Sequence, residues 1–277
     1  MTDAYYIEIT ELQSVVKNQN NNDLEYANKL SLDSAIEKLR SQITESSLLR
    51  DKSHVHAESI WTDWFNTVNA DVFISHSSAN GDVAVQFANW LYSNFKFKSF
   101  VDSQFWLRIN ELQREFDKGL LHDEIVYDKY GNRHAKKYYD YEKRNQSTAH
   151  VHALLTYSLT KMIEKTPYFI FIKSANSVRF EDSVKNITSP WIFHELAIVD
   201  LMHNVRHQHL SEESFSELDV YYPMLGNCLK KITTENLEEW VTKKSGNVSS
   251  NQYFEILNSI INKSTNKNIS IHLDRLR

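Results

Sequence analysis

Trp191 and Glu195 stand four residues apart in Ser189-Pro190-Trp191-Ile192-Phe193-His194-Glu195-Leu196. Proline near a first turn is tolerated because its missing N–H would have no partner there, so this segment reads as a helix start. Residues at i and i+4 share a helix face. An aromatic ring beside a carboxylate can stack on a base or a pyridinium, while the acid meets a sugar or a developing cation. The helix dipole favours an acid at this end, and for the same reason first-turn acids are common with no chemical role. Hydroxyls and amides cluster elsewhere, after short apolar runs: Ser75-His76-Ser77-Ser78, Asp102-Ser103 and Ser174-Ala175-Asn176. In an open parallel sheet, ligands bind at the carboxyl ends of strands near a topological switch point. Such groups at three strand ends suit a polar, ribose-bearing ligand. Loops also collect Ser and Asn for their turn-forming hydrogen bonds.

Other constellations carry less. His203 and His207 are at helical i, i+4 spacing with His209 nearby, a spacing that can hold zinc. No cysteine pair or H-E-x-x-H accompanies them, and they read as a solvated helix end, so no metal site is expected. His150-x-His152 is weaker still, and His194, facing another side of the helix from Glu195, reads as packing or as support behind the site. Ser75 or Ser77 as a hydrolase nucleophile would want the G-x-S-x-G elbow, which is absent. No G-x-G-x-x-G or G-x-x-x-x-G-K-[ST] occurs. The run Lys136 to Arg144 interleaves charge with tyrosine and could touch phosphates, but reads first as a solvated insertion.

The elements that must position these residues follow from periodicity. Asp71-Val72-Phe73-Ile74-Ser75, Lys98-Ser99-Phe100-Val101-Asp102 and Tyr168-Phe169-Ile170-Phe171-Ile172 are short apolar runs, as expected of parallel strands buried on both faces. Val220 to Leu225 is a further strand candidate. Helices are predicted over Asp82–Phe95, Val151–Ile163, from Ser189 onward, Glu235–Lys243 and Tyr253–Ile261, with some helix around Trp106–Phe116. Strands alternating with helices imply an α/β fold with a parallel sheet covered on both faces. Residues 1–69 read as a separate N-terminal segment, mainly helical (33–49 and 54–68), with a candidate strand at Tyr5–Ile9. Residues 70–277 read as the α/β domain, with an insertion at about 103–149 after the second strand.

Composition sets the outer limits. The 277 residues are 41% apolar and 24% charged, enough to bury a sizeable core. A net charge of −5 gives no global attraction to nucleic acid. Cys228 is the single cysteine, which rules out an internal disulfide and fits a reducing cytosol. The start lacks the basic and apolar regions of a secretory signal, and no apolar run is long enough for a membrane span. A cytoplasmic location with no membrane partner is the expectation.

Taken in order, Asp71–Ser75, Phe100–Asp102, Tyr168–Ser174 and Trp191–Leu196 resemble the ordered signature of TIR (Toll/interleukin-1 receptor) domains over about residues 70–262. The W-x-x-x-E element is similar to that of TIR enzymes that cleave NAD⁺. The resemblance implies a flavodoxin-like TIR fold. It also implies a catalytic role for Glu195 and a nucleotide pocket bordered by Ser75, His76, Ser77 and Asp102. Ser174 would be the post-strand serine and Trp191 the aromatic beside the acid. NAD⁺ would be substrate, with no separate cofactor. The products would be ADP-ribose, a cyclic isomer or a base-exchange product. The further implications are self-association through TIR–TIR contacts, an upstream sensor or downstream effector partner, and a place in antiviral defence or signalling. A non-catalytic TIR interaction module and an N-glycosidase acting on another nucleotide remain as alternatives. The long insertion departs from the family, whose corresponding loop is short.

Overall fold

The computed structural model describes residues 3–17, 19, 69–103, 121–127, 129–131, 133–139, 141–181, 184–187, 189–203, 222–223, 228–244 and 249–274. In chain order the elements are β1 (Asp3–Glu8), α1 (Ile9–Val16), β2 (Val72–His76), a 3-10 turn (Ser78–Asn80), α2 (Gly81–Phe95), β3 (Ser99–Val101), β4 (Leu121–Tyr127), β5 (Arg133–Tyr139), α3 (Tyr141–Lys165), β6 (Tyr168–Lys173), β7 (Val178–Glu181), β8 (Val184–Ile187), α4 (Pro190–His203), β9 (Tyr222–Pro223), β10 (Lys230–Ile232), α5 (Thr234–Thr242) and α6 (Ser250–Asp274).

The apolar runs of β2 and β6 leave no polar face to turn toward water. They accordingly lie inside a five-stranded, all-parallel sheet in the order β10-β1-β6-β2-β3. All five residues of β2 are buried. Phe73 is in register with Phe100 on one side and Phe169 on the other, and the three rings stack at 5.2 and 5.5 Å. This aromatic row ties three strands together on one face. Side chains alternate along a strand, so Tyr5, Ile74, Tyr168 and Ile170 project from the opposite face. There Tyr5 and Tyr168 stack on Phe254 of α6. Trp240 of α5, wholly buried, packs on Phe95, Phe97 and Phe254, and its indole N–H donates to the Tyr253 carbonyl at 2.7 Å. The start of α5 is fixed by a capping box between Thr233 and Asn236, and the Thr234 N–H reaches Glu11 of α1. α2 ends on Lys96, whose φ of 61° is the left-handed turn that closes many helices.

The chain divides into two compact units. One comprises Met1–Leu30, Asn69–Ser103 and Met162–Arg277, and the other Ser31–Val68 and Gln104–Lys161. The first holds the parallel sheet and also the small antiparallel sheet β7-β8-β9. In the second, β4 and β5 form an antiparallel hairpin with Gly131 at φ 83° near its turn.

Three differences from the sequence reading stand out. β1 pairs with both β6 and β10, so a strand from the segment set apart as 1–69 is built into the middle of the sheet. Parallel pairing across some 160 residues leaves no local mark in a sequence. The last sheet strand is Lys230–Ile232, whereas Tyr222–Pro223, from the strand candidate Val220–Leu225, pairs antiparallel with β8. The stretch read as an insertion contains the β4–β5 hairpin and the first turns of α3, which begins ten residues ahead of its expected start. The helices expected at 33–49, 54–68 and Trp106–Phe116 lie outside the described residues.

Candidate functional site

β2 is followed by β3 on one flank, and the chain then crosses to β6 on the other. That reversal makes the carboxyl ends of β2 and β6 a topological switch point, where open parallel sheets place their ligand sites. β2 ends in Ser75-His76, β3 runs into Asp102-Ser103, β6 runs into Ser174, and α4 packs against β2. Four of the chemistry-bearing segments thus converge on one edge because each immediately follows, or lies over, a strand that burial forces into the sheet centre.

Ser75 and His76 are adjacent, so strand alternation turns them to opposite faces. Ser75 Oγ donates to Glu195 Oε2 at 2.5 Å, and both residues are fully buried. His76 Nδ1 lies 2.7 Å from Asp102 Oδ1, and His76 Nε2 is 2.8 Å from Ser103 Oγ. The first of these is a hydrogen bond when Nδ1 carries the proton; apart from it neither atom has a partner among the described residues. The Asp102 charge also acts on Glu195. The result is two sets of polar contacts, Ser103–His76–Asp102 and Ser75–Glu195, at the tips of β2 and β3. Gly81, the first residue of α2, leaves room beside the first set: a Cβ there would meet Ser103 Oγ at 3.4 Å.

The charges in these contacts follow from burial. Desolvation pushes the Glu195 carboxyl well above the ordinary range, and the Asp102 charge pushes it the same way, outweighing the opposing hydrogen bond from Ser75. Burial acts to lower His76, but the Asp102 charge and hydrogen bond, with help from the Ile74 backbone, outweigh it and raise the imidazole above its ordinary value. Burial thus disfavours the charged form of Glu195, while Asp102 favours the charged form of His76. Glu195 Oε1 has no hydrogen-bond partner among the described residues in the protein itself.

The other expected residues fall nearby in different company. Ser174 Oγ accepts from Asn80 Nδ2 at 2.6 Å, not from Glu195. Ser177 Oγ accepts from the Ser174 N–H and donates to the Ser174 carbonyl, both at 2.9 Å, which closes the loop after β6. Ser77, also buried, caps the 3-10 turn, its carbonyl accepting from the Asn80 N–H. Trp191 is half-buried one turn ahead of Glu195 on α4. Asn80 and Ser177 were not singled out from the sequence. Their signals were a polar residue just before a helix-opening glycine and a serine three residues past another. His203 is at the end of α4, while His207 and His209 lie outside the described residues. Among the described residues, no group of three or more His, Cys, Asp or Glu is placed to hold a metal. Among them, too, no helix is long and apolar enough to cross a membrane.

Comparison with protein-family models, with curated proteins and with solved structures finds no match in any of the three. Fold and site together define a class: an α/β protein whose five-stranded parallel sheet carries buried Ser75, His76, Asp102 and Glu195 at its carboxyl edge.

Proposed function

We propose that the protein is an NAD⁺ glycohydrolase or cyclase of the TIR kind, with a flavodoxin-like sheet, that breaks the nicotinamide–ribose bond with Glu195. The observation that carries this reading is the place of Glu195. It is held by the Ser75 hydroxyl at the switch-point edge of a parallel sheet, on the helix that also bears Trp191. Nicotinamide leaves as a neutral base from a pyridinium, so the departure needs no proton donor. The transition state resembles an oxocarbenium ion, as in glycoside hydrolysis. An anionic Glu195 beside the ribose would stabilise that cation and hold the sugar hydroxyls. Trp191 would stack on the departing ring. Water as acceptor gives ADP-ribose; a nucleophile within the same molecule gives a cyclic isomer; an added base gives exchange. Glu195 is fully enclosed, so substrate contact requires movement around it. Self-association through TIR–TIR contacts, in a cytoplasmic defence or signalling role, is the setting this reading implies.

That same enclosure favours a second reading, a non-catalytic TIR-like interaction module in which the Ser75–Glu195 bond is part of the core. Incubating the purified protein with NAD⁺ and separating the products chromatographically decides between them. The first reading expects free nicotinamide from the native protein and none from Glu195→Gln. NAD⁺ consumption that persists in folded Glu195→Gln protein would remove Glu195 from the mechanism.

A further inference from the structure

We propose that Ser103, His76 and Asp102 form a second reactive centre at this sheet edge, one that hydrolyses a carboxylic ester through an acyl group carried on Ser103. Ser103 is the nucleophile, His76 the general base and Asp102 a positioning residue. This activity goes beyond the glycohydrolase reading and makes no use of Glu195.

His76 Nδ1 lies 2.7 Å from Asp102 Oδ1, and His76 Nε2 lies 2.8 Å from Ser103 Oγ. A carboxylate at one ring nitrogen and a hydroxyl at the other is the arrangement that activates a serine. The Asp102 charge favours a proton on Nδ1, which leaves Nε2 to accept the Ser103 O–H. The same charge stabilises the imidazolium that forms when that proton is taken up. The His76 side chain is sealed from solvent and that of Asp102 nearly so, which limits screening of the pair by water. Ser103 is only half-buried. It therefore combines an imidazole partner with access from solvent, which the buried Ser75, Ser77, Ser174 and Ser177 lack. The G-x-S-x-G elbow, absent around Ser75 and Ser77, serves to present a serine at a strand-to-helix turn. Ser103 reaches such a turn without it: β3 ends at Val101, and the backbone is helical at Asp102 and Ser103.

Attack on an ester places negative charge on the former carbonyl oxygen, which needs a positive field beside Ser103. α2 begins there. A Cβ on Gly81, its first residue, would stand 3.4 Å from Ser103 Oγ and 3.9 Å from His76 Nε2, so glycine lets the positive end of the helix come up to both reacting atoms. Asn80, at the N-cap, makes no side-chain cap; its amide donates to Ser174 instead.

The cycle balances without a further reactant. Ser103 Oγ bonds to the acyl carbon, the bond from that carbon to the alcohol oxygen breaks, and His76 Nε2 passes the serine proton to the departing alcohol. Water then gives a proton to Nε2 and its oxygen to the acyl carbon. The bond to Ser103 breaks, and the proton returns to Ser103 Oγ. One ester and one water become one acid and one alcohol.

The test treats the full native chain with a fluorophosphonate, which traps an activated serine as a stable phosphonyl ester, and locates the label by peptide mass spectrometry. Ser103 should carry it. Ser103→Ala should lose the label and hydrolyse 4-nitrophenyl acetate about a hundredfold more slowly or worse. In Asp102→Asn and His76→Gln, the labelling rate at saturating reagent should fall by a similar factor while the half-saturating concentration stays the same. A residue that only shaped the loop would move that concentration instead. No label on Ser103 in the native chain, or ester hydrolysis unchanged in Ser103→Ala, overturns the proposal, and the native label decides alone where a variant fails to fold. The assay contains no NAD⁺. A labelled Ser103 without nicotinamide release would sink the glycohydrolase reading alone, and nicotinamide release with Ser103 unlabelled would sink only the esterase.

Discussion

Burial disfavours the charged form of Glu195, and this has a measurable consequence. Burial and the adjacent Asp102 raise its folded-state value well above that of a glutamate in an unfolded chain, about 4.3. The folded protein then binds this proton more tightly than the unfolded chain does. Stability from the neutral form is fully present below the unfolded value and is lost as pH rises through the folded one. His76 is raised too, so its contribution is complete below about pH 6.5 and is lost in the same direction at higher pH. Glutamine at position 195 is neutral throughout and can still accept from Ser75. Relative to native protein, Glu195→Gln should therefore gain stability steadily in urea unfolding as pH rises above about 4.3. A constant difference across that range would mean that Glu195 titrates normally. Ser75→Ala tests the other side of the acid. It removes the one hydrogen bond that opposes the upward shift and should cost about 1–3 kcal/mol, because it leaves a buried carboxyl oxygen unpaired.

At the scale of elements, the energy lies in aromatic packing under the sheet. Trp240 has no exposed surface, stacks on Phe95 at 4.2 Å and donates to Tyr253. Trp240→Ala should cost about 3–5 kcal/mol in denaturant unfolding. A loss below about 1 kcal/mol would show that the α5–α6 layer is not part of the cooperative core. β1 makes a stronger claim. It bridges β6 and β10 with six paired positions on one side and three on the other. A fragment beginning at Ala70 would leave the edges of both strands open and Tyr5 and Ile7 missing from the core. It should fail to unfold cooperatively, whereas a sharp transition equal to that of the whole chain would show that β1 is dispensable. β2, β3 and β6 were legible because a central parallel strand must be apolar throughout and must end where the chain turns polar. β1 fits that rule less well: Asp3 and Glu8 bound it, and its partners are far along the chain. β10 is only three residues long, with two lysines, too short for periodicity to register.

For the whole molecule, the site was readable as a set of residues but not as a set of contacts. Strand ends drew attention to Ser75, His76, Asp102 and Ser174, and helix position drew attention to Glu195. Their pairing depends on sheet order, and sheet order is a property of distant segments. Nothing local says that Ser75 faces Glu195 while His76, one residue on, faces Asp102, nor that Ser174 answers to Asn80 instead. If the protein works through assembly, as the proposed family implies, specific activity should rise with protein concentration alongside mass measured by light scattering. Activity independent of concentration in a monomeric sample would exclude assembly as the trigger.

The central claim is that a carboxylate at the carboxyl edge of the sheet does the chemistry. The most direct measurement is a chromatographic time course of NAD⁺ and nicotinamide with native and Glu195→Gln protein, both verified as folded by circular dichroism. Nicotinamide release is expected from the native protein, with a loss of about a hundredfold or more in the variant. Equal release from the two proteins would contradict it.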